Sequence, residues 1–136
     1  MLRRIFLLLI MCVTALSVSA CTTSHDYKSE LTCEHFAANS HRSDSFTLEV
    51  GDKLRLELCS DQAAGYGWDY EFTTQNVVKE EDRDYREPQQ GSAAGVELWT
   101  FEGVGKGTTE IQMGYRQASQ GGSQAEWTYT ITVTVQ

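Results

Sequence analysis

From Phe46 onward, bulky apolar residues fall at every second position. Phe46, Leu48 and Val50 alternate with polar residues, Gly51 and Asp52 supply a turn, and Leu54, Leu56 and Leu58 resume the alternation. A period of two sends successive side chains to opposite faces, so these runs predict half-buried strands. The same period recurs in Trp68, Tyr70 and Phe72, across residues 96–101, in Ile111, Met113 and Tyr115, and in Trp127, Tyr129, Ile131, Val133 and Val135. In the last run Thr128, Thr130, Thr132 and Thr134 take the other face, as expected of an antiparallel strand with one side in a core. The intervening stretches, residues 61–67, 79–95, 103–107 and 117–125, are rich in Gly, Gln, Ser and charge and read as loops. The acidic stretch 80–87 is included among them as a solvated loop. Strands at this spacing predict an all-β antiparallel sandwich over residues 46–136.

Upstream the pattern is different. Residues 22–45 carry few apolar side chains, so residues 21–45 read as a tether that orders toward its end. Before it, Arg3 and Arg4 precede an apolar run from Ile5 to Val13 and then small residues, the layout of an export signal over residues 1–20. Thr14 and Ser17 interrupt the run before it reaches the ~20 apolar residues of a spanning helix. Val18, Ser19, Ala20 and Cys21 resemble a bacterial lipobox. That resemblance implies cleavage before Cys21 and a thioether-linked lipid on it, anchoring the chain in a bacterial cell-envelope membrane. Thr22 resembles an outer-membrane address. The alternative is an ordinary secreted protein that retains Cys21 as a free thiol.

Loss of residues 1–20 removes two positive charges, Arg3 and Arg4, and takes the formal net charge from −8 to −10. Such acidity disfavours nucleic acid or an anionic lipid surface as partner. With Cys12 in the signal and Cys21 assigned to lipid, Cys33 and Cys59 remain, and a pair in an exported domain predicts a disulfide worth ~3 kcal/mol. Two buried, reduced cysteines are the alternative, since sequence gives no distance between them. His25, Cys33, His35 and His41 lack the tight spacing of a zinc motif, so no metal or cofactor is expected.

Catalytic chemistry finds no footing either. All three histidines precede the patterned domain, leaving no base for a Ser or Cys nucleophile. Asp69, Glu71 and Glu97 fall at outward positions of alternating strands, where a solvated face is expected, and no phosphate-cradling glycine motif occurs. The remaining reading is a binding module, not an enzyme, that presents loops on a rigid sandwich.

One segment is more specific. Asp61, Gln62, Ala63, Ala64, Gly65, Tyr66, Gly67 and Trp68 resemble the loop of the chagasin family, inhibitors of papain-like cysteine proteases, whose pattern is Asn-Pro-Thr-Thr-Gly-Tyr/Phe-x-Trp. Gly91 and Gly95 resemble the family's glycine-rich loop before an aromatic strand, here Leu98, Trp99, Thr100 and Phe101. Gly107 to Ile111 and Tyr115-Arg116 resemble its Gly-x-x-x-Ile and Tyr-x-Arg-Pro-Trp region. The resemblance spans roughly residues 46–135. It implies an immunoglobulin-like sandwich whose three loops wedge reversibly into a protease cleft: Asp61 to Gly65, Gly91 to Gly95, and residues from Arg116 through Gln117 and Ala118 to Gly122. Two departures stand out: Ala63 and Ala64 replace a hydroxyl pair, and Gln117 and Ala118 stand where the family has Pro-Trp. A weakened inhibitor is therefore expected, with a non-inhibitory envelope binding module on the same sandwich as the alternative. Tyr66, Trp68 and Trp127 are expected in the core and not at a partner.

Overall fold

The computed structural model describes residues 23–119 and 124–136. The export signal expected over residues 1–20, the lipidation expected on Cys21 and part of the third loop, up to Gly122, lie outside them. The elements in chain order are β1 (Asp26–Leu31), α1 (Cys33–Ala38), β2 (His41–Leu48), β3 (Lys53–Ser60), β4 (Tyr66–Phe72), β5 (Val78–Arg86), β6 (Gly95–Gly103), β7 (Gly107–Gln117) and β8 (Trp127–Val135). They form two four-stranded sheets, ordered β1-β3-β6-β5 and β2-β8-β7-β4. The chain is thus an all-β, immunoglobulin-like sandwich. Between the sheets lie Leu54, Leu56 and Leu58, Trp99 and Phe101, Ile111 and Met113, and Tyr129, Ile131 and Val133, all from the alternating runs.

The pairing is antiparallel except at one margin of each sheet. There β1 runs parallel to β3, and β2 parallel to β8. The short turn before β3 does not make a hairpin; it carries the chain from one sheet to the other.

Four expectations need correction. Residues 26–45 are not a tether: they supply β1, α1 and most of β2. An edge strand needs only one inward face, and β1 provides it with Tyr27, Ser29 and the buried Leu31. His41 accordingly lies within a strand of the domain. The acidic stretch, all but Glu87, lies within β5, paired to β6 through a bulge between Glu80 and Asp82. Backbone pairing makes this strand, and its exposed charges suit an edge that must not recruit another chain. Along its inner side, Arg83 sits 3.8 Å over the Trp99 ring and pairs with Glu80 at 3.1 Å, closing the open flank of the core.

Glu97 is the fourth. It points inward from β6 and is only 5% exposed. Trp99 and Phe101 set the inward phase of β6, and Glu97 shares it, so the polar residue is carried inside with them. Its Oε2 accepts the backbone N–H of Trp68 at 3.1 Å, joining the two sheets.

Candidate functional site

Strand register collects the three loops at one end. Ser60 pairs with Gly95, Tyr66 with Gln117, and Tyr115 with Trp127, so the connections at 61–65, 87–94 and 118–126 all leave the same rim. Helix α1 fills the gap between the sheets there. Thr32 caps it, its hydroxyl accepting the His35 N–H at 3.4 Å while the His35 ring accepts the Thr32 N–H at 3.0 Å. Such reciprocal capping stabilises a helix this short. Cys33, the first residue of α1, is bridged to Cys59 near the end of β3, with Cα atoms 5.2 Å apart. The disulfide therefore exists and staples the helix beside the first loop.

Beneath the loops runs a row of stacked rings. Phe36 of α1 stacks on Trp127 at 5.0 Å, Trp127 on Tyr115 at 4.6 Å, and Tyr115 on Tyr66 at 5.1 Å. Trp68 leans on Phe36 and Tyr115 from the side, and its indole N–H donates to the Cys59 carbonyl at 3.0 Å. Tyr66, Trp68 and Trp127 are thus held within the domain as a platform. Offset rings of this kind add stabilisation of about 1 kcal/mol per pair beyond the area they bury.

The first loop is locked by its own chemistry. Residues 62–64 form one turn of 3-10 helix, capped by the Asp61 side chain, which accepts the Ala64 N–H at 3.1 Å. Gly65 ends the turn at φ 84°, a left-handed conformation that a side chain disfavours. From below, the Tyr115 hydroxyl accepts the Asp61 N–H at 2.8 Å. Gln62, Ala63, Ala64 and Gly65 are left exposed at the tip.

The third loop is fused to the first. Ala118 N–H donates to the Gly65 carbonyl at 2.9 Å, and the Gln117 side-chain amide donates to the Ala64 carbonyl at 3.1 Å. In the second loop a turn closes from Ser92 N–H to Gln89 carbonyl at 2.9 Å, with exposed Gly91 at φ 90°. Behind this loop, a shallow recess opens against α1 and β3, lined by Thr32, Cys33, Glu57, Arg86 and Gly95.

Two residues expected at the partner-facing surface lie elsewhere. Gly95 is buried at the start of β6, where a Cβ would collide with the Arg86 carbonyl and the Tyr85 ring, so it serves strand packing. Arg116 belongs to β7 and faces the outer side of its sheet, gripping Asp69 through two bonds of 2.7 and 3.1 Å. Strand alternation explains this: Tyr115 points inward, so Arg116 points outward and not toward the loop tip. Gly114 leaves room for the pair, since a Cβ there would strike the Arg116 guanidinium.

Electrostatics at this end are set by burial. It holds the Glu97 carboxyl above its ordinary range, against the pull of hydrogen bonds that include the Trp68 amide. Burial likewise raises the Tyr115 phenol, and a hydrogen bond to Glu126 raises that of Tyr66. Among the described residues no cluster of His, Cys, Asp and Glu is arranged to hold a metal. Sequence reasoning missed Phe36 and the hydroxyl of Tyr115. The first had a signal in the spacing of Thr32 and His35; the second required the register.

Comparison with known proteins agrees with this fold. The cysteine protease inhibitor EhICP2 from Entamoeba histolytica superposes with a TM-score of 0.65 at 17% identity, covering 84% of this chain and 100% of its own. Amebosin superposes at 0.58 with 19% identity, over 81% and 98% of the two chains. PbICP-C, solved in complex with falcipain-2, superposes at 0.55 with 16% identity, over 81% and 99%. No curated protein matches the sequence. The model of the chagasin family of peptidase inhibitors, I42, matches residues 47–133. That stretch is more than half of the sequence and holds all three loops, so the chain belongs to the chagasin family of peptidase inhibitors.

Proposed function

We propose that the protein is a reversible, non-covalent inhibitor of papain-like cysteine proteases, lipidated on Cys21 and held at the bacterial envelope, with its outer membrane the expected site. The observation that carries this reading is the joint presentation of three loops at one end, the first fused to the third through Gly65 and Ala118. Family membership gives peptidase inhibition, and a structural neighbour solved with falcipain-2 supports a cysteine protease as partner. The mechanism is steric. A capped 3-10 turn with small side chains at its tip fits a narrow cleft, and a loop already rigid loses little conformational entropy on binding.

The contact surface is therefore Asp61, Gln62, Ala63, Ala64, Gly65, Gly91, Gln117 and Ala118, with Gly95 and Arg116 acting as structural supports. Ala63 and Ala64 offer methyl groups where a hydroxyl pair would bond, and neither Gln117 nor Ala118 is an aromatic anchor, so affinity rests on backbone and shape. Restoring Thr at Ala63 and Ala64, and Pro-Trp at Gln117 and Ala118, is expected to tighten inhibition, each regained anchor contributing ~1–3 kcal/mol. Gly65→Val is expected to abolish it while the circular-dichroism spectrum is kept. If the restored variant binds no better and Gly65→Val inhibits normally, these loops are not the contact surface.

A further inference from the structure

The end opposite the loops is built from three turns tied to one another. Gly51 N–H donates to the Gly103 carbonyl at 2.8 Å, Gly103 N–H to Asp52 at 3.0 Å, and Val104 N–H to Val77 at 2.8 Å. The chain enters the domain here. The carboxylate of Asp52, 1% exposed, accepts the N–H groups of His25 at 2.7 Å and Glu49 at 2.8 Å, and Lys53 N–H returns a bond to the His25 carbonyl. From this fixed point β1 runs toward the loops, parallel to β3.

On the same turns lie the two exposed large apolar side chains among the described residues, Val50 at 45% and Val104 at 38%. Each alone would be ordinary. They sit on adjacent turns joined by the Gly51 to Gly103 bond, at the one place where the chain leads back to Cys21. Cys21 precedes His25 by four positions, a reach of at most ~14 Å in extended chain. The eight residues of β3 span roughly 25 Å toward the loops. An anchor on Cys21 can therefore draw only this base to a bilayer.

We infer that the base is a membrane-facing surface: Val50 and Val104 rest in the interfacial layer of a phospholipid bilayer, and the inhibitory loops point away from it into the aqueous phase. The inference depends on lipidation of Cys21 as read above. The acyl chains supply the affinity and the two valines fix the orientation, so the negative charge of the domain need not be attracted to headgroups. A protease is then met from the water side, and the domain cannot lie with its loops against the membrane.

The test introduces Val50→Trp, Val104→Trp or Ala63→Trp into the full chain. Mature protein is extracted from membranes, its intact mass read, and each variant placed in phosphatidylcholine vesicles with and without brominated acyl chains, the wild-type emission being subtracted. The expected result is an acylated mass, with the added emission at positions 50 and 104 quenched several-fold more by brominated lipid than that at position 63. An acylated protein quenched equally at all three positions, or most at 63, overturns the orientation. An unacylated mass overturns it too, and shows that the anchor itself has failed.

Discussion

The hydroxyl of Tyr115 accepts the backbone N–H of Asp61 at 2.8 Å, linking a ring in the stacked platform directly to the first residue of the candidate contact loop. Tyr115 lies in β7 and Asp61 follows β3, so one bond joins strands of opposite sheets at the point where the loop departs. Tyr115→Phe keeps the ring stack and removes the hydroxyl that accepts this bond. It is expected to cost about 1 kcal/mol of stability, and to weaken inhibition several-fold by loosening the Asp61 cap. Chemical denaturation paired with inhibition constants would show it; unchanged inhibition would mean the loop holds its shape without the bond.

The Cys33 to Cys59 bridge ties α1 to the strand that feeds the same loop. Reduction, or the double change Cys33→Ala with Cys59→Ala, is expected to lower stability by ~3 kcal/mol. Hydrogen exchange should rise first in α1 and in residues 61–65. If exchange rises evenly across both sheets, the bridge acts on the whole fold and not on the loop.

Arg116 gives the opposite expectation. Its guanidinium is engaged with Asp69 on the outer sheet face, a partly exposed pair of the kind worth up to ~1 kcal/mol. Arg116→Ala should leave inhibition near the wild-type value. A loss of affinity larger than the loss of stability would place Arg116 in the interface after all.

Glu97 links stability to pH. Its folded-state value lies above the ordinary 4.5, chiefly through burial. A carboxyl raised in this way favours folding fully below its unfolded value, and that contribution is lost as pH rises through the folded value. Glu97→Gln keeps an acceptor for the Trp68 N–H and carries no charge. The variant should therefore gain stability relative to wild type as pH rises above the ordinary 4.5 and through the raised folded-state value. Parallel denaturation curves across that range would contradict the assignment.

Apart from β5, the strands after residue 46 were legible because core burial imposes a period of two, and Leu54, Leu56, Leu58, Ile131 and Val133 all lie where that period puts them. Residues 26–45 were not, because β1 and β2 are sheet margins that bury little, and one buried Phe36 carries the whole helix. Edge position likewise disguised β5: its exposed charges look like a loop until pairing with β6 is known. At the site, the Asp61 to Gly65 turn could be read from its own residues, since Asp caps and Gly accepts a positive φ. The positions of Gly95, Glu97 and Arg116 depend on which way a strand faces. A shift of one residue reverses that, and only register decides it.

Inhibition itself tests the account most directly. Residual activity of a panel of papain-like cysteine proteases should be measured against the domain at micromolar concentration, over a range of substrate concentrations, followed by dilution. The account predicts competitive inhibition of at least one member, with activity recovered in full on dilution. No inhibition of any member by the wild type would contradict it, and a gain of inhibition only on restoring the missing loop residues would make the protein a non-inhibitory binding module on a chagasin sandwich.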